Sequence, residues 1–111
     1  MVFGFGRKEH REITPQQLAA QLRMGAALVV DVREAEEYAQ GHIPGAVNLP
    51  LSTFQPSALP DPAGRTLVLN CLGGKRSAMA LDKCRAAQEA VDTHLAGGFT
   101  AWAAAGLPVE R

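Results

Sequence analysis

Two short apolar runs constrain the fold of this chain more than any other feature. Ala26 to Val32 is almost wholly apolar and rich in β-branched residues, and Thr66 to Asn70 carries a second apolar run. Strands that are apolar on both faces belong to parallel sheets covered by helices. Because helical patterns separate the strand signals, the sequence predicts an α/β fold with a mostly parallel sheet.

Length and charge exclude several classes of protein. A chain of 111 residues is enough for one domain with a core covered on two faces. Its 11 basic and 11 acidic residues balance, so no net field attracts nucleic acid or an anionic membrane. No apolar run reaches the length of a signal peptide or a membrane span. We therefore expect a cytoplasmic protein with no nucleic-acid partner and no membrane partner.

Cysteine and histidine usage indicates neither disulfides nor metal. The two cysteines, Cys71 and Cys84, show no pairing framework and no metal-ligand spacing, which favours a reducing compartment. His10, His42 and His94 are scattered along the chain. We expect no zinc site and no cofactor.

The first residues differ in composition from the rest. Residues 1–11 read as a polar lead-in, and residues 12–111 form the predicted domain. Within the lead-in, Val2, Phe3 and Phe5 are apolar enough to pack on the domain or on a neighbour.

Caps, glycines and prolines delimit the predicted elements. Thr14, Pro15 and Gln17 form a capping pattern that starts a helix ending before Gly25. The dense Pro, Ser, Asp and Gly of residues 52–64 predict a loop that carries one helical turn. The other predicted elements are helices at residues 33–40, 76–89 and 99–105 and short strands at residues 46–49 and 93–96.

Cys71 stands between the second apolar run and a helical stretch. Gly73, Gly74, Lys75 and Arg76 follow it and make a glycine-rich cationic turn. Such a turn points backbone N–H groups inward above a helix N-terminus, where amides, helix dipole and cations stabilise negative charge on sulfur. These surroundings lower the pKa of a thiol from about 8.5 to roughly 3.5–7.5. We predict that Cys71 is a thiolate nucleophile at the carboxyl end of a strand, where such sheets bind ligands.

A nucleophilic cysteine in such a turn can form an acyl-enzyme, a phosphocysteine, a mixed disulfide or a persulfide. An acyl-transfer enzyme needs a histidine base. His42 and His94 are candidates by residue type alone, and structural hydrogen bonding in loops is their expected role. A disulfide oxidoreductase needs a second cysteine two or three residues away, and the chain has none there. Phosphate transfer needs a wider loop than Leu72 to Lys75, which separates Cys71 from Arg76.

The second cysteine is predicted to be structural. Cys84 falls on the helical face that it shares with Ala80 and Ala87, which indicates a small core residue. About two helical turns, near 12 Å by helix rise, separate it from Cys71, so a resolving role is disfavoured.

Four segments of the chain together resemble the single-domain rhodaneses, and the resemblance runs from Ile13 to Val109. Each segment is weakly specific alone, whereas the four in this order and spacing are highly specific. The implied fold is a single rhodanese-like domain with a mostly parallel five-stranded sheet flanked by helices. The segments are Val30-Asp31-Val32-Arg33-Glu34 with Glu37-Tyr38, Gly41-His42-Ile43-Pro44-Gly45-Ala46-Val47-Asn48, Cys71-Leu72-Gly73-Gly74-Lys75-Arg76-Ser77, and Leu95-Ala96-Gly97-Gly98-Phe99-Thr100-Ala101-Trp102.

The resemblance implies a sulfurtransferase. Family members move sulfane sulfur from a donor such as thiosulfate to a thiophile such as cyanide or a thiol, through a cysteine persulfide. By resemblance, Cys71 carries the sulfur, and Asp31 and Arg33 organise the rim of the site, with an ordinary surface ion pair as the alternative. The implied partners are a small anionic donor and a cyanide or thiol acceptor, which includes protein thiols. The residues expected to bind the terminal sulfur or the substrate are Leu72, Gly73, Gly74, Lys75, Arg76 and Ser77.

The segment from Cys71 to Ser77, here called the thiol loop, differs in size and charge between subfamilies. Phosphatases and arsenate reductases of similar architecture place five residues between cysteine and arginine, and this chain has four. The narrower loop favours sulfur over phosphate. Lys75 and Arg76 suit a dianion such as thiosulfate, although Arg76 can instead turn back to a carboxylate within the fold.

Two further points qualify the resemblance. The helix after the thiol loop usually ends at a glycine in this family, and here Gln88-Glu89-Ala90 stands instead, so we expect a longer or differently capped helix end. The rival functional hypothesis is a non-catalytic module for protein interaction or sulfur carriage. The presence of Cys71 argues against a module that has lost its chemistry.

Overall fold

In a computed structural model of the chain, residues 10–111 are described. Val2, Phe3, Phe5 and most of the predicted lead-in lie outside these residues. The described chain contains strands β1 (Arg11–Ile13), β2 (Ala27–Asp31), β3 (Val47–Asn48), β4 (Thr66–Asn70) and β5 (Thr93–Leu95), and helices α1 (Pro15–Arg23), α2 (Ala35–Gln40), α3 (Lys75–Ala86) and α4 (Gly98–Ala104).

The five strands form one sheet in the order β1-β5-β4-β2-β3, and every neighbouring pair is parallel. This confirms the predicted α/β fold and its five-stranded sheet. Strands β2 and β4 are paired along their whole length, from Ala27 opposite Thr66 to Asp31 opposite Asn70. The carboxyl ends of both strands therefore meet at one edge, directly beside Cys71.

Strand β1 was not predicted. It lies at one edge of the sheet and pairs only with β5, three residues to three. Arg11 and Glu12 are exposed and only Ile13 is buried. A strand this short, with one buried residue, shows no apolar alternation, and its partner lies at the other end of the chain.

Helix α1 begins as predicted. The Gln17 backbone N–H donates to the Thr14 hydroxyl at 3.1 Å, and the Thr14 N–H donates to the Gln17 side chain at 3.0 Å. This reciprocal capping satisfies two backbone donors at the helix start, and Pro15 at the first position has no N–H to satisfy. The helix covers the sheet with Leu18 and Ala19, which are buried.

The sheet separates two apolar cores because successive strand residues point to opposite faces. The core on the side of α1 and α4 contains Val29, Val68, Leu95 and Trp102. The other core, on the side of α3, contains Leu67, Leu69, Cys71, Ala80, Leu81 and Cys84. Cys84 is fully buried there, as predicted, whereas Ala87 is exposed because α3 has already ended.

Helix α3 ends at Ala86, earlier than the predicted residue 89. Gln88 adopts a left-handed conformation with φ of 62°. The Gln88 N–H donates to the Arg85 carbonyl and the Glu89 N–H donates to the Cys84 carbonyl. This pair of bonds is the termination that glycine usually makes, here made by a glutamine.

The connection between β3 and β4 includes the predicted loop of residues 52–64. The predicted loop contains two single-turn 3₁₀ helices, Leu51–Thr53 and Pro56–Ala58, where one turn was expected. Across residues 10–111, none of the helices is long and apolar enough to cross a bilayer.

Candidate functional site

The Cys71 thiol lies at the junction between β4 and α3. The residue is 1% exposed. The Gly74 backbone N–H donates to Sγ at 3.0 Å, and Sγ lies 3.5 Å from the Ser77 hydroxyl. Gly74 has φ of 112°, a conformation open to glycine, and this bend turns its N–H back toward the sulfur. The thiol thus sits at the N-terminus of a 12-residue helix.

Two opposing effects set the ionisation of Cys71. Burial disfavours the thiolate, but hydrogen bonds from the Ser77 hydroxyl and from the backbone of Ser77, Gly74 and Gly73 favour it more strongly. The result is a pKa below the ordinary value of a thiol. Cys84 contrasts with this behaviour, because burial and Glu89 raise its pKa to about 11. Only one of the two thiols is therefore suited to act as a nucleophile.

The N-terminus of α4 supports the thiol loop from outside. The Phe99 N–H donates to the Cys71 carbonyl at 2.8 Å, and the Thr100 N–H donates to the Leu72 carbonyl at 3.0 Å. A Cβ atom on Gly98 would lie 2.5 Å from both carbonyl oxygens. Glycine at this position therefore permits the approach that anchors the loop.

Ser77 connects the thiol to a histidine for which the sequence predicted only structural hydrogen bonding. His94 lies within β5 and is 6% exposed. Its Nδ1 is 2.8 Å from the Ser77 hydroxyl oxygen, which also lies 3.1 Å from the Gly74 carbonyl oxygen. The contact arises because β5 pairs with β4, with His94 opposite Leu69. The signal that could have revealed it is the alternation around His94, which sets the side chain on the α3 side of the sheet.

The two basic residues of the loop differ in their surroundings. Arg76 donates two hydrogen bonds to the Glu37 carboxylate, at 2.7 and 3.0 Å. Of the two sequence-based alternatives for Arg76, the structure shows the carboxylate contact. Lys75 is exposed and forms no hydrogen bond or ion pair with any residue from 10 to 111. The positive charge available to an anion in solution is thus that of Lys75.

Asp31 and Arg33 form a buried ion pair, so the alternative of a surface pair is wrong. Their side chains are 0% and 4% exposed. The Arg33 guanidinium donates to both carboxylate oxygens and to the Gly41 carbonyl, and it lies 4.4 Å above the centre of the Phe99 ring. The pair therefore links the end of β2 to the start of α4, next to the thiol loop.

A surface cavity of about 460 Å³ opens beside the loop. It meets the thiol loop at Leu72, which is 45% exposed, and it does not include Cys71 itself. Its walls combine the buried arginine and the Glu37 carboxylate with apolar groups, which makes it a candidate binding cavity. The lining residues are Arg33, Glu37, Gln40, Gly41, Leu72, Phe99, Ala103 and Val109.

His42 has an architectural environment. Its ring stacks on Tyr38 at 3.8 Å between centroids, and its Nδ1 contacts the Tyr38 carbonyl oxygen at 2.8 Å. Its backbone exchanges two hydrogen bonds with Glu110, which ties the end of the described chain to the loop after α2. Within residues 10–111, no group of three or more His, Cys, Asp or Glu side chains could hold a metal ion.

These features define an α/β domain with a cysteine loop at the carboxyl edge of a parallel sheet. A family model described as Rhodanese-like domain matches residues 14–105. The chain belongs to the family of rhodanese-like domains.

Individual relatives agree with this assignment. A thiosulfate sulfurtransferase from Ectopseudomonas mendocina is 31% identical over 96 residues, which cover 86% of this chain and 87% of that protein. An uncharacterized protein from Synechocystis sp. is 44% identical over 99 residues, or 89% of this chain and 55% of that protein. The crystal structure of a rhodanese-related protein from Thermoplasma volcanium superposes with a TM-score of 0.76 at 28% identity, covering 91% of this chain and 98% of the other. The chain spans about half or less of the length of several curated relatives that it matches.

Proposed function

We propose that this domain is a sulfurtransferase that carries sulfane sulfur as a persulfide on Cys71. The observation that carries the proposal is the surroundings of the sulfur, with the Gly74 N–H at 3.0 Å and the Ser77 hydroxyl at 3.5 Å above a helix N-terminus. Relatives named as sulfurtransferases support sulfur transfer in general. Thiosulfate is the proposed donor, and cyanide or a thiol is the proposed acceptor.

Loading begins with the Cys71 thiolate. Its Sγ attacks the outer sulfur of thiosulfate and forms a new S–S bond, while the bond between that sulfur and the sulfonate breaks and its electron pair leaves with sulfite. The negative charge then resides on the terminal sulfur of the persulfide. The hydrogen-bond donors of the thiol loop already point toward the sulfur of Cys71, so they stabilise this charge without rearranging.

Unloading is the reverse kind of displacement. The acceptor attacks the terminal sulfur, the persulfide S–S bond breaks, and its electron pair returns to Sγ of Cys71. A cyanide acceptor leaves as thiocyanate with no proton transfer, whereas a thiol acceptor must lose its proton on the way. The cavity next to Leu72 is the proposed approach for this acceptor.

The basic residues support an anionic donor and disfavour phosphate transfer. Lys75 has a side-chain ammonium without a partner among residues 10–111 and is the proposed contact for the sulfonate end of thiosulfate. A cysteine phosphatase needs an arginine in the loop to hold the phosphoryl oxygens. Here the Arg76 guanidinium is engaged by Glu37, and the loop before it is one residue short.

Intact-mass spectrometry tests the proposal directly. Incubation with thiosulfate should add one sulfur atom, about 32 Da, to the wild-type protein. Cys71→Ser should abolish the addition. Cys84→Ala is the matched control and should load normally, because Cys84 is buried and its pKa is raised to about 11.

The same experiment separates the enzyme from the rival module. If wild-type protein gains no sulfur from thiosulfate or from a glutathione persulfide, the transferase proposal is wrong and a non-catalytic interaction domain is favoured. Loading from thiosulfate without release to cyanide or glutathione would instead indicate a sulfur carrier that hands its cargo to a protein. Hydrolysis of an aryl phosphate that depends on Cys71 would instead favour a cysteine phosphatase.

A further inference from the structure

We propose that His94 is a positioning residue for Cys71, which orients the Ser77 hydroxyl and takes up through it the proton that the thiol loses. The inference deepens the proposed function, since it concerns the same thiol. It rests on a continuous chain of contacts. Sγ of Cys71 lies 3.5 Å from Oγ of Ser77, and that oxygen lies 2.8 Å from Nδ1 of His94.

The Ser77 hydroxyl has a single hydrogen and three neighbours that can accept it. These neighbours are Sγ of Cys71, Nδ1 of His94 and the Gly74 carbonyl oxygen, the last at 3.1 Å. When Nδ1 carries no proton, it accepts the hydroxyl hydrogen, which is then withheld from the sulfur. When Nδ1 is protonated, it becomes a donor to Oγ, and the hydroxyl hydrogen can turn to the thiolate. The state of His94 therefore controls whether Ser77 stabilises the nucleophile.

One proton balances the exchange. The S–H bond of Cys71 breaks as its proton joins Oγ of Ser77, and the original hydroxyl hydrogen moves to Nδ1 of His94. Ser77 remains neutral, Cys71 becomes a thiolate and His94 becomes an imidazolium. Nothing is oxidised or reduced.

Opposing influences act on the charge of His94. Burial lowers the pKa of His94, which keeps Nδ1 available to accept a proton but opposes the imidazolium that results. The Glu12 carboxylate on β1 lies 3.5 Å from Nε2 and stabilises the imidazolium once it forms.

The other charged neighbours reach His94 through His10. The ring of His10 meets that of His94 edge-on at 6.1 Å and opposes a positive charge there. His10 in turn contacts two side chains of α3, the Asp82 carboxylate at 2.9 Å and the Arg85 guanidinium at 3.4 Å. Glu12 is thus the anion in direct contact with His94 that favours its protonation.

The test measures the pH at which Cys71 becomes reactive, which requires no sulfur transfer. Iodoacetamide alkylation rates are followed against pH in a Cys84→Ala background, where Cys71 is the only cysteine. His94→Asn can still hydrogen-bond Ser77 but has no basic nitrogen. Its alkylation midpoint should rise by about one pH unit, a tenfold loss of rate below the midpoint.

Two further variants separate this role from a structural one. Ser77→Ala should raise the midpoint by itself, and adding His94→Asn to it should cause no further rise, because the connection is already broken. His42→Asn alters another buried histidine, whose side chain contacts Tyr38 and Glu110, and should leave the midpoint unchanged. Circular dichroism checks folding, and His94→Gln replaces His94→Asn if the latter unfolds.

An unchanged midpoint in folded His94→Asn, or shifts of Ser77→Ala and His94→Asn that simply add, would overturn the inference. Neither result would bear on the proposed function, because sulfur loading is measured separately by mass. If the wild-type protein gains no sulfur but His94→Asn still raises the alkylation midpoint, the proposed function is wrong and the inference about His94 stands.

Discussion

The Arg76 guanidinium and the Glu37 carboxylate are joined by two hydrogen bonds of 2.7 and 3.0 Å, which connect the first turn of α3 to α2. The contact lowers the pKa of Glu37 from 4.5 to about 2. A carboxyl whose pKa is lowered by folding stabilises the protein above its unfolded pKa. That contribution disappears as the pH falls through the folded value.

Glu37→Gln should therefore destabilise the fold at pH 6 and have little effect near pH 2. Both side chains are about one-third exposed, so solvent screening limits the loss of unfolding free energy to about 1 kcal/mol. Urea unfolding at a series of pH values checks this, with the gap narrowing between pH 4.5 and 2. Glu36→Gln, an exposed neighbour on α2, should show no such narrowing. A gap that is constant with pH would contradict the assignment.

Removing Arg33 should be costly because its partner is buried. Arg33→Gln leaves the Asp31 carboxylate without its guanidinium, and breaking a buried pair in this way costs about 3–5 kcal/mol. Asp31→Asn with Arg33→Gln together should cost less than the sum of the single changes. Urea unfolding of the three variants measures this coupling, and strict additivity would count against a paired contribution.

Lys75 is expected to contribute to the affinity for thiosulfate. Lys75→Gln should raise the KM for thiosulfate about fivefold at low ionic strength with little change in kcat, as expected for the loss of about 1 kcal/mol of charge attraction. Added salt should reduce the difference from wild type. Lys83→Gln, an exposed lysine near the other end of α3, is the control. Equal effects of the two variants would show that only net charge matters.

Gly98 and Gly106 form a matched pair for testing the support of the thiol loop. Both have left-handed backbones, with φ of 60° and 73°. A Cβ on Gly98 would meet two carbonyl oxygens at 2.5 Å, whereas a Cβ on Gly106 would meet nothing within 4 Å. Gly98→Ala should therefore lower the unfolding free energy by about 1–3 kcal/mol more than Gly106→Ala. Thermal unfolding of both variants provides the comparison. Equal losses of unfolding free energy would mean that the thiol loop shifts at no cost to make room for the Cβ.

One substitution should stabilise the fold. Gln88 holds a left-handed conformation at the end of α3, where a side chain costs about 1 kcal/mol relative to glycine. Gln88→Gly should raise the unfolding free energy by somewhat less than this, because glycine also loses more entropy on folding. Gln40→Gly, within the last turn of α2, should destabilise instead. A Gln88→Gly variant less stable than wild type would show that the side chain itself is needed.

The sequence was sufficient for most of the architecture because its signals are local. The runs that became β2 and β4 are apolar on both faces, and the Thr14 cap and the glycines around Cys71 act within a few residues. Strand β1 and the contact between His94 and Ser77 depend instead on pairing between distant segments. The three residues of β1 are too few to show a period.

Buried charge was the other source of error. Asp31 and Arg33 were given a surface alternative because charged residues are seldom buried without a partner. Their closeness in the sequence does not reveal that the Arg33 guanidinium also contacts the Gly41 carbonyl and the Phe99 ring. The sequence predicted that Arg76 could contact a carboxylate within the fold. It did not identify Glu37 as the partner, because 39 positions separate the two residues.

The hydrogen bonds from Phe99 and Thr100 to the carbonyls of Cys71 and Leu72 have a consequence for the energetics of sulfur exchange. They fix the loop from behind, so its ordering is completed when the protein folds and not when substrate arrives. The dipoles that meet a bare thiolate would therefore meet a persulfide in the same orientation, with little reorganisation between the two states. Such preorganisation lowers the barrier in both directions, which suits the proposed role of Cys71 in accepting and releasing sulfur.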